Sequence, residues 1–199
     1  MRRELPAHDL SSRESHRLLT ASVLPRPIAW VSTRSRDGID NLAPYSFFTA
    51  VSSDPPVLQF SSIGLKDTVR NILDTGEFVI CVTTLDLMEQ VNATAEYVAP
   101  DVDEFALAGL RREASAAVRP ARVAGAPVAF ECRMRSVCEI GNGHVVMGDV
   151  VHVAVAESVV GDDGLPDAEL MRPVSRLGRN EWAGLGDLRR LYLPRPARA

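Results

Sequence analysis

Between Ser61 and Thr68 the chain reads Ser-Ser-Ile-Gly-Leu-Lys-Asp-Thr, with three hydroxyls around one ammonium in eight residues. Lys66 is the one lysine of the chain; the remaining 21 of its 22 basic residues are arginine. The segment lies where a strand pattern ends and a helical one starts, because Val69, Ile72 and Leu73 have helical spacing and Gly76 stands at the C-cap position. A phosphate monoester needs positive charge, several donors and the free N–H groups of a helix N-terminus, and this stretch carries all three. The same residues also read as a plain N-cap followed by a solvated lysine. Asp67, unfavourable beside a dianion, is assigned to capping or to orienting Lys66.

A second segment, Asn41-Leu42-Ala43-Pro44-Tyr45-Ser46-Phe47-Phe48, places a proline inside a strand pattern. Proline cannot donate to a ladder, so this strand is an edge, is bulged, or lies beside a bound group. Backbone groups freed at such a break can hydrogen-bond the rim of a planar heterocycle, with Tyr45, Phe47 and Phe48 as apolar walls. A core strand with an edge proline is the competing interpretation. Among the histidines, His144 reads either as a ligand contact or as a turn residue partly in solvent. His152 reads as structural, and His8 and His16 belong to the N-terminal arm without a metal-ligand partner. Cys81, Cys132 and Cys138 are odd in number and widely spaced, which argues against a disulfide framework or a zinc site. They read as buried, reduced thiols, with Cys132 and Cys138 able to share one strand face.

The elements that must hold these segments are mostly strands. Ile28–Thr33, Asn41–Val51, Val57–Ser61, Phe78–Thr83, Val128–Ile140 and His144–Val160 read as strands, with reversals at Asp37-Gly38, Asp54-Pro55-Pro56 and Gly141-Asn142-Gly143. In Val128–Ile140, Phe130, Cys132 and Met134 alternate with Glu131, Arg133 and Arg135, the pattern of a half-buried antiparallel strand. Helices are expected after Lys66, over Leu85–Asn92 with Leu87, Met88 and Val91 inward, and as a short turn in Asp101–Gly109. Residues 1–24 read as a loose arm or short helix, and 165–199 as a polar, arginine-rich tail with little strand signal. Strands that do not alternate with helices point to an antiparallel barrel with short helices over its ends. Neither GxGxxG nor GxxxxGK[ST] occurs, which disfavours a Rossmann sheet.

Composition bounds the partners. The chain has 199 residues, a formal charge of −4 and 46% hydrophobic residues, enough for one sizeable core. Slight acidity argues against nucleic-acid binding. No run reaches the ~20 apolar residues of a membrane span, and the start, MRRELPAHDL, lacks the apolar stretch of a signal peptide. A cytoplasmic protein is expected.

Taken in order, Pro25-Arg26-Pro27-Ile28-Ala29-Trp30-Val31-Ser32-Thr33, Asp37-Gly38, Asn41–Phe48, Asp54-Pro55-Pro56, Lys66-Asp67-Thr68, Asn71-Ile72, Gly76-Glu77-Phe78, Asp103-Glu104-Phe105, Glu131-Cys132 and Met147-Gly148-Asp149-Val150 resemble the flavin reductase-like family. The resemblance implies a mostly β, antiparallel, Greek-key type FMN-binding split β-barrel with short helices. It divides the chain into an arm (1–17), a split-barrel domain (18–160) and an extension (161–199) packing on the barrel or on a partner subunit. It implies a homodimer with FMN at the interface. By position, Ser61, Ser62, Lys66 and Thr68, with Asp67 in the same loop, would hold the phosphate. Asn41, Leu42, Ala43, Pro44, Tyr45 and Ser46 would line the isoalloxazine and ribityl chain, with Thr33 a further contact and His144 near a nicotinamide. The activity implied is NAD(P)H-dependent flavin reduction: hydride passes from NADH or NADPH to flavin N5, then electrons to free flavin, oxygen or a partner oxygenase. An FMN-binding electron carrier or flavin chaperone is the alternative, and a barrel that has kept the fold without flavin is a third. Arg34, Arg36 and Arg179 are candidates for a 2′-phosphate contact as well as reading as solvated loop arginines.

Overall fold

The computed structural model describes residues 1–191. Helix α1 (Ser12–Ser22) opens on a capping box: the Ser11 side chain accepts from the Glu14 N–H, while the Glu14 carboxylate accepts the Ser11 N–H at 2.9 Å. After it come the short strand β1 (Arg26–Pro27), then β2 (Ala29–Arg34), β3 (Asp40–Tyr45), β4 (Phe48–Ser53) and β5 (Pro56–Ile63). Helix α2 (Asp67–Thr75) ends on Gly76 in the left-handed conformation, and β6 (Glu77–Val82) runs back. Next are α3 (Met88–Ala93), α4 (Glu104–Leu107), the two-residue strands β7 (Arg112–Glu113) and β8 (Arg122–Val123), and the long hairpin β9 (Val128–Ile140) and β10 (Gly143–Val155). The tail carries α5 (Ala168–Met171), β11 (Ser175–Arg176) and β12 (Trp182–Ala183).

Seven strands form one antiparallel sheet in the order β3-β2-β6-β9-β10-β5-β4. The two edge strands, β3 and β4, are neighbours in sequence, so the link Ser46–Phe47 draws the sheet's ends together. There the Ser61 N–H donates to the Phe47 carbonyl at 2.8 Å, and the sheet curls into a barrel split between β3 and β4. Inside are Val31, Tyr45, Phe60, Phe78, Ile80, Cys132 and Val146, closed at one end by Val69 and Ile72 of α2. The opposite face of β2, β3 and β6 buries Trp30, Leu42, Val79 and Cys81 against Val91 of α3, Phe105 of α4, Val123 and Val174. Both faces being covered explains why these strands read as continuous apolar runs.

Several expectations need correction. The Asn41–Val51 strand is two strands, broken where the barrel turns its corner at Ser46–Phe47. The last long strand ends at Val155, not Val160. Glu131, on the expected solvent side of β9, is fully buried: the N–H groups of Ala116 and Ala117 and the Arg122 guanidinium hold it. Cys132 is buried but Cys138 is exposed, because the β9–β10 register slips between Met147 and Gly148, bulging Arg135 and reversing the face parity beyond it. The tail is less irregular than its composition suggests. Its β11 pairs with both β1 and β12. The part of the expected extension at 192–199 lies outside the described residues. Among those residues no helix is long and apolar enough to cross a membrane.

Candidate functional site

Asn41 stands at the centre of a buried polar network. Thr33 faces it across the β2–β3 ladder and donates its hydroxyl to Asn41 Oδ1 at 3.3 Å; Thr68, in the first turn of α2, donates to the same oxygen at 2.7 Å. Asn41 Nδ2 donates to Glu104 at 2.7 Å, the other Glu104 oxygen accepts the Leu42 N–H at 3.0 Å, and Asn71 Nδ2 donates to Thr33 at 3.1 Å. Thr33, Thr68, Glu104 and Asn41 are all under 9% exposed, so water competes little for these bonds. Burial pushes the Glu104 carboxyl up, with the Leu42 N–H and the Asn41 amide opposing it. The helix carrying the lysine and the strand carrying the proline are thereby fixed to each other.

Ser62 is fully buried, and its hydroxyl donates to the Gly64 carbonyl at 2.9 Å, shaping the loop before α2. Tyr45 stacks on Phe60 with ring centroids 4.7 Å apart, and burial raises its phenol to about 12. That phenol is turned towards the hydroxyls of Thr68 and Ser62, yet no hydrogen bond closes on it. Lys66 is half-buried at the N-cap of α2, its Nζ 4.8 Å from the Tyr97 ring centroid. Contrary to the expectation from sequence, Asp67 neither caps α2 nor orients Lys66. Its carboxylate pairs with Arg70 at 2.8 Å, one turn on, and among the described residues no carboxylate pairs with Lys66.

Three adjoining clefts, of about 290, 550 and 850 Å³, are all lined by Pro44 and Lys66. The smallest adds Asn41, Ala43, Tyr45, Asp67 and Thr68; the middle one adds Tyr45, Ser46 and Ser61; the largest reaches from Ser46 to Met88 and Trp182. The two segments singled out by sequence thus meet at one place. Leu42 is fully buried in the second core and offers only backbone. Thr33 lies one hydrogen bond behind the clefts. His144 sits opposite Ser62 in the β5–β10 ladder and does not line them; its Nε2 is 3.6 Å from Glu139 and its Nδ1 is buried without a partner.

Sequence reasoning missed Glu104 as the anchor of this network, although Asp103-Glu104-Phe105 was legible as a motif. It also missed Tyr97, and it left Arg13, His16, Arg26 and Arg176 out of the site that they line. Pairing between β1 and β11 brings the last two there, and no local pattern announces a two-residue strand.

Residues 21–168 match the family profile described as flavin reductase like domain. An uncharacterized protein of Aquifex aeolicus is 40% identical over 168 residues, spanning 82% of this chain and 86% of its own. Nitrilotriacetate monooxygenase component B from Bacillus cereus superposes with a TM-score of 0.90 at 30% identity, over 96% of this chain and 99% of that one. Flavoredoxin of Desulfovibrio vulgaris (Miyazaki F) superposes with a TM-score of 0.80 at 25% identity, over 96% and 97%.

Proposed function

The chain belongs to the flavin reductase like domain family, and from that premise we propose that it binds FMN in the joined clefts and reduces it with NADH or NADPH. The observation that carries this reading is the meeting of Pro44 and Lys66 on all three clefts, with the strand of one and the helix of the other locked through Asn41 and Thr68. The donor set fits a phosphorylated heterocycle. Among the described residues Lys66 has no carboxylate partner and no side chain caps the N–H groups in the first turn of α2, and Ser61 lines the cleft beside it. Ser62 and Thr68 shape that loop from beneath. Asn41, Ala43, Pro44, Tyr45 and Ser46 form the wall for the ring and the ribityl chain, and Leu42 contributes backbone only.

When bound, FMN supplies the hydride acceptance and onward electron transfer that no side chain of this chain provides. The protein orients it: the Glu104–Asn41–Thr68 network holds the ring strand and the phosphate helix at fixed separation. The large cleft towards Met88 and Trp182 leaves room for a second substrate. His144 lines none of the three clefts, so it is given no contact within this reading.

We assign the working unit as a homodimer with the flavin at its interface. Leu18, Leu19, Val23 and Leu24 at α1, and Val51, Val151 and Val153 on β4 and β10, are exposed and apolar, the surface a partner subunit would cover. By likeness to a monooxygenase component B, a partner oxygenase is the proposed electron acceptor, beside free flavin and oxygen. We assign the reaction to the cytoplasm, where free thiols stay reduced and nicotinamide donors are at hand.

A second reading, an FMN-binding electron carrier, is favoured by the absence of a dinucleotide-binding loop and by the likeness to a flavoredoxin. An absorption spectrum before and after anaerobic NADH and then NADPH separates the two. Flavin bands that bleach support a reductase. Flavin that stays oxidised supports the carrier, and a protein that takes up no FMN overturns both.

A further inference from the structure

The middle cleft, about 550 Å³, is lined by Arg13, His16, Arg26, Lys66, Arg176 and Arg179, with no aspartate or glutamate in its lining. This is a cationic site on a chain whose formal charge is −4. Elsewhere several arginines find carboxylates: Arg34 and Arg112 meet Asp40, Arg36 meets Asp74, Arg119 meets Glu77, Arg122 meets Glu131 and Arg172 meets Asp86. Among the described residues Arg13, Arg26, Lys66 and Arg176 have none, and Arg179 approaches only the exposed Glu181 at 3.6 Å.

The arrangement runs against the usual economy of a sheet. Arg26 and Arg176 face each other directly across the β1–β11 ladder, where like charges are unfavourable. Burial, and then the Arg176 charge, pull the Arg26 guanidinium below its usual range; burial does the same to Arg176. The chain nonetheless holds them there firmly. Arg26 is 5% exposed and donates to the carbonyls of Thr20, Val23 and Leu177 and to the Ser46 hydroxyl, tying α1, β1 and the tail together. Arg176 stacks on the Trp182 ring at 4.5 Å and donates to the Arg179 carbonyl. An FMN phosphate held at Lys66 and Ser61 neutralises two charges at most, and the wall built from α1 and the tail then keeps an excess of cations.

We propose that this wall, Arg13, Arg176 and Arg179, is a second anion site that receives a phosphate group of the nucleotide electron donor beside the flavin. It rests on the flavin reading above and deepens it by naming how the donor is held. Of the three arginines that sequence offered for such a contact, Arg34 and Arg36 are engaged with Gly38, Asp40 and Asp74, and only Arg179 reaches the cleft. The phosphate has two possible sources in a pyridine dinucleotide: the 2′-phosphate of NADPH, or the diphosphate bridge common to NADH and NADPH.

The test titrates adenosine 2′,5′-bisphosphate, ADP and adenosine into the FMN-loaded full chain by calorimetry, at low and high salt. FMN affinity is measured separately by fluorescence. At least one phosphorylated probe binds, its affinity falls with salt, and adenosine does not bind. Arg176→Gln with Arg179→Gln, and independently Arg13→Gln on the exposed face of α1, each weaken the probe about tenfold or more, a larger loss than either causes in FMN affinity. Preference for the bisphosphate assigns the 2′-phosphate, and equal binding assigns the diphosphate bridge. No probe binding to the loaded protein, unchanged binding in the variants, or probes that compete with FMN would overturn the proposal. If FMN itself fails to bind, the flavin reading falls while the probe titration on the free protein still reports on the arginine wall.

Discussion

Thr68 donates its hydroxyl to Asn41 Oδ1 at 2.7 Å across 27 residues of sequence, and this bond joins the two segments that line the clefts. Thr68 opens α2 behind Lys66; Asn41 opens the strand that bends at Pro44. Thr68→Val keeps the shape and deletes the donor, leaving Asn41 Oδ1 with the longer Thr33 contact at 3.3 Å. The expected loss is about 1–2 kcal/mol of unfolding free energy in urea, with a weakened FMN affinity beside it. Unchanged affinity with lowered stability would reduce the bond to a structural one.

Lys66 carries the phosphate assignment. Its ammonium rests over Tyr97 with Asp67 diverted to Arg70, and among the described residues no carboxylate pairs with it. Lys66→Ala is expected to weaken FMN roughly 10- to 100-fold, about 1.5–3 kcal/mol for a charge-assisted hydrogen bond, and Lys66→Arg to restore part of it. Fluorescence titration at two salt concentrations checks this. An alanine variant that binds FMN as tightly as the parent sinks the assignment.

Glu104 gives a pH signature. Burial raises its carboxyl in the folded chain, so the folded state holds the proton where the unfolded chain has released it. Its contribution to stability is therefore greatest at low pH and is lost as pH rises through the folded pKa, above the ordinary glutamate value. Relative to Glu104→Gln, the parent should gain stability between pH 7.5 and pH 5 in urea unfolding. Parallel pH curves for the two proteins would show that Glu104 does not titrate in that window.

The three thiols should separate cleanly. Cys81 is fully buried with its thiol raised to about 12 by burial, Cys132 is buried and raised likewise, and Cys138 is exposed. A thiol reagent added to the native protein is expected to modify one thiol quickly and the others only on unfolding. Cys138→Ser should abolish the fast phase. Fast modification that survives this substitution would mean that the β9–β10 register is wrong.

How much of this was legible beforehand follows from how local each signal is. Strand boundaries at β9, the hairpin at Gly141–Asn142, α2 and its Gly76 cap all rest on neighbours in sequence, and the residues announced them. So did the two site segments, because a lone lysine among hydroxyls and a proline within a strand are local anomalies. What stayed hidden is long-range. Glu104 reaches Asn41 across 63 residues, and Arg26 meets Arg176 through strands too short to have a pattern. The face of Cys138 depended on one bulged residue, which a period-2 reading cannot see.

Gly148 offers the sharpest test of the barrel interior. On β10 it lies against Phe78 of β6, where a Cβ would sit 2.8 Å from Cε1 of that ring, closer still to Cζ, and 3.1 Å from Cβ of Cys132. The Phe78 ring cannot retreat freely, since it packs edge-on to Phe60 at 5.9 Å and is fully buried. Gly148→Ala should therefore cost about 1–3 kcal/mol or more through overpacking. Phe78→Leu alone should also destabilise, by removing buried ring volume. Combined, the two should cost less than their sum, because the smaller side chain gives the new methyl room. Denaturant unfolding of the four proteins measures the coupling directly. Strict additivity would mean that the two residues do not touch, and the barrel closure described above would then have to be redrawn.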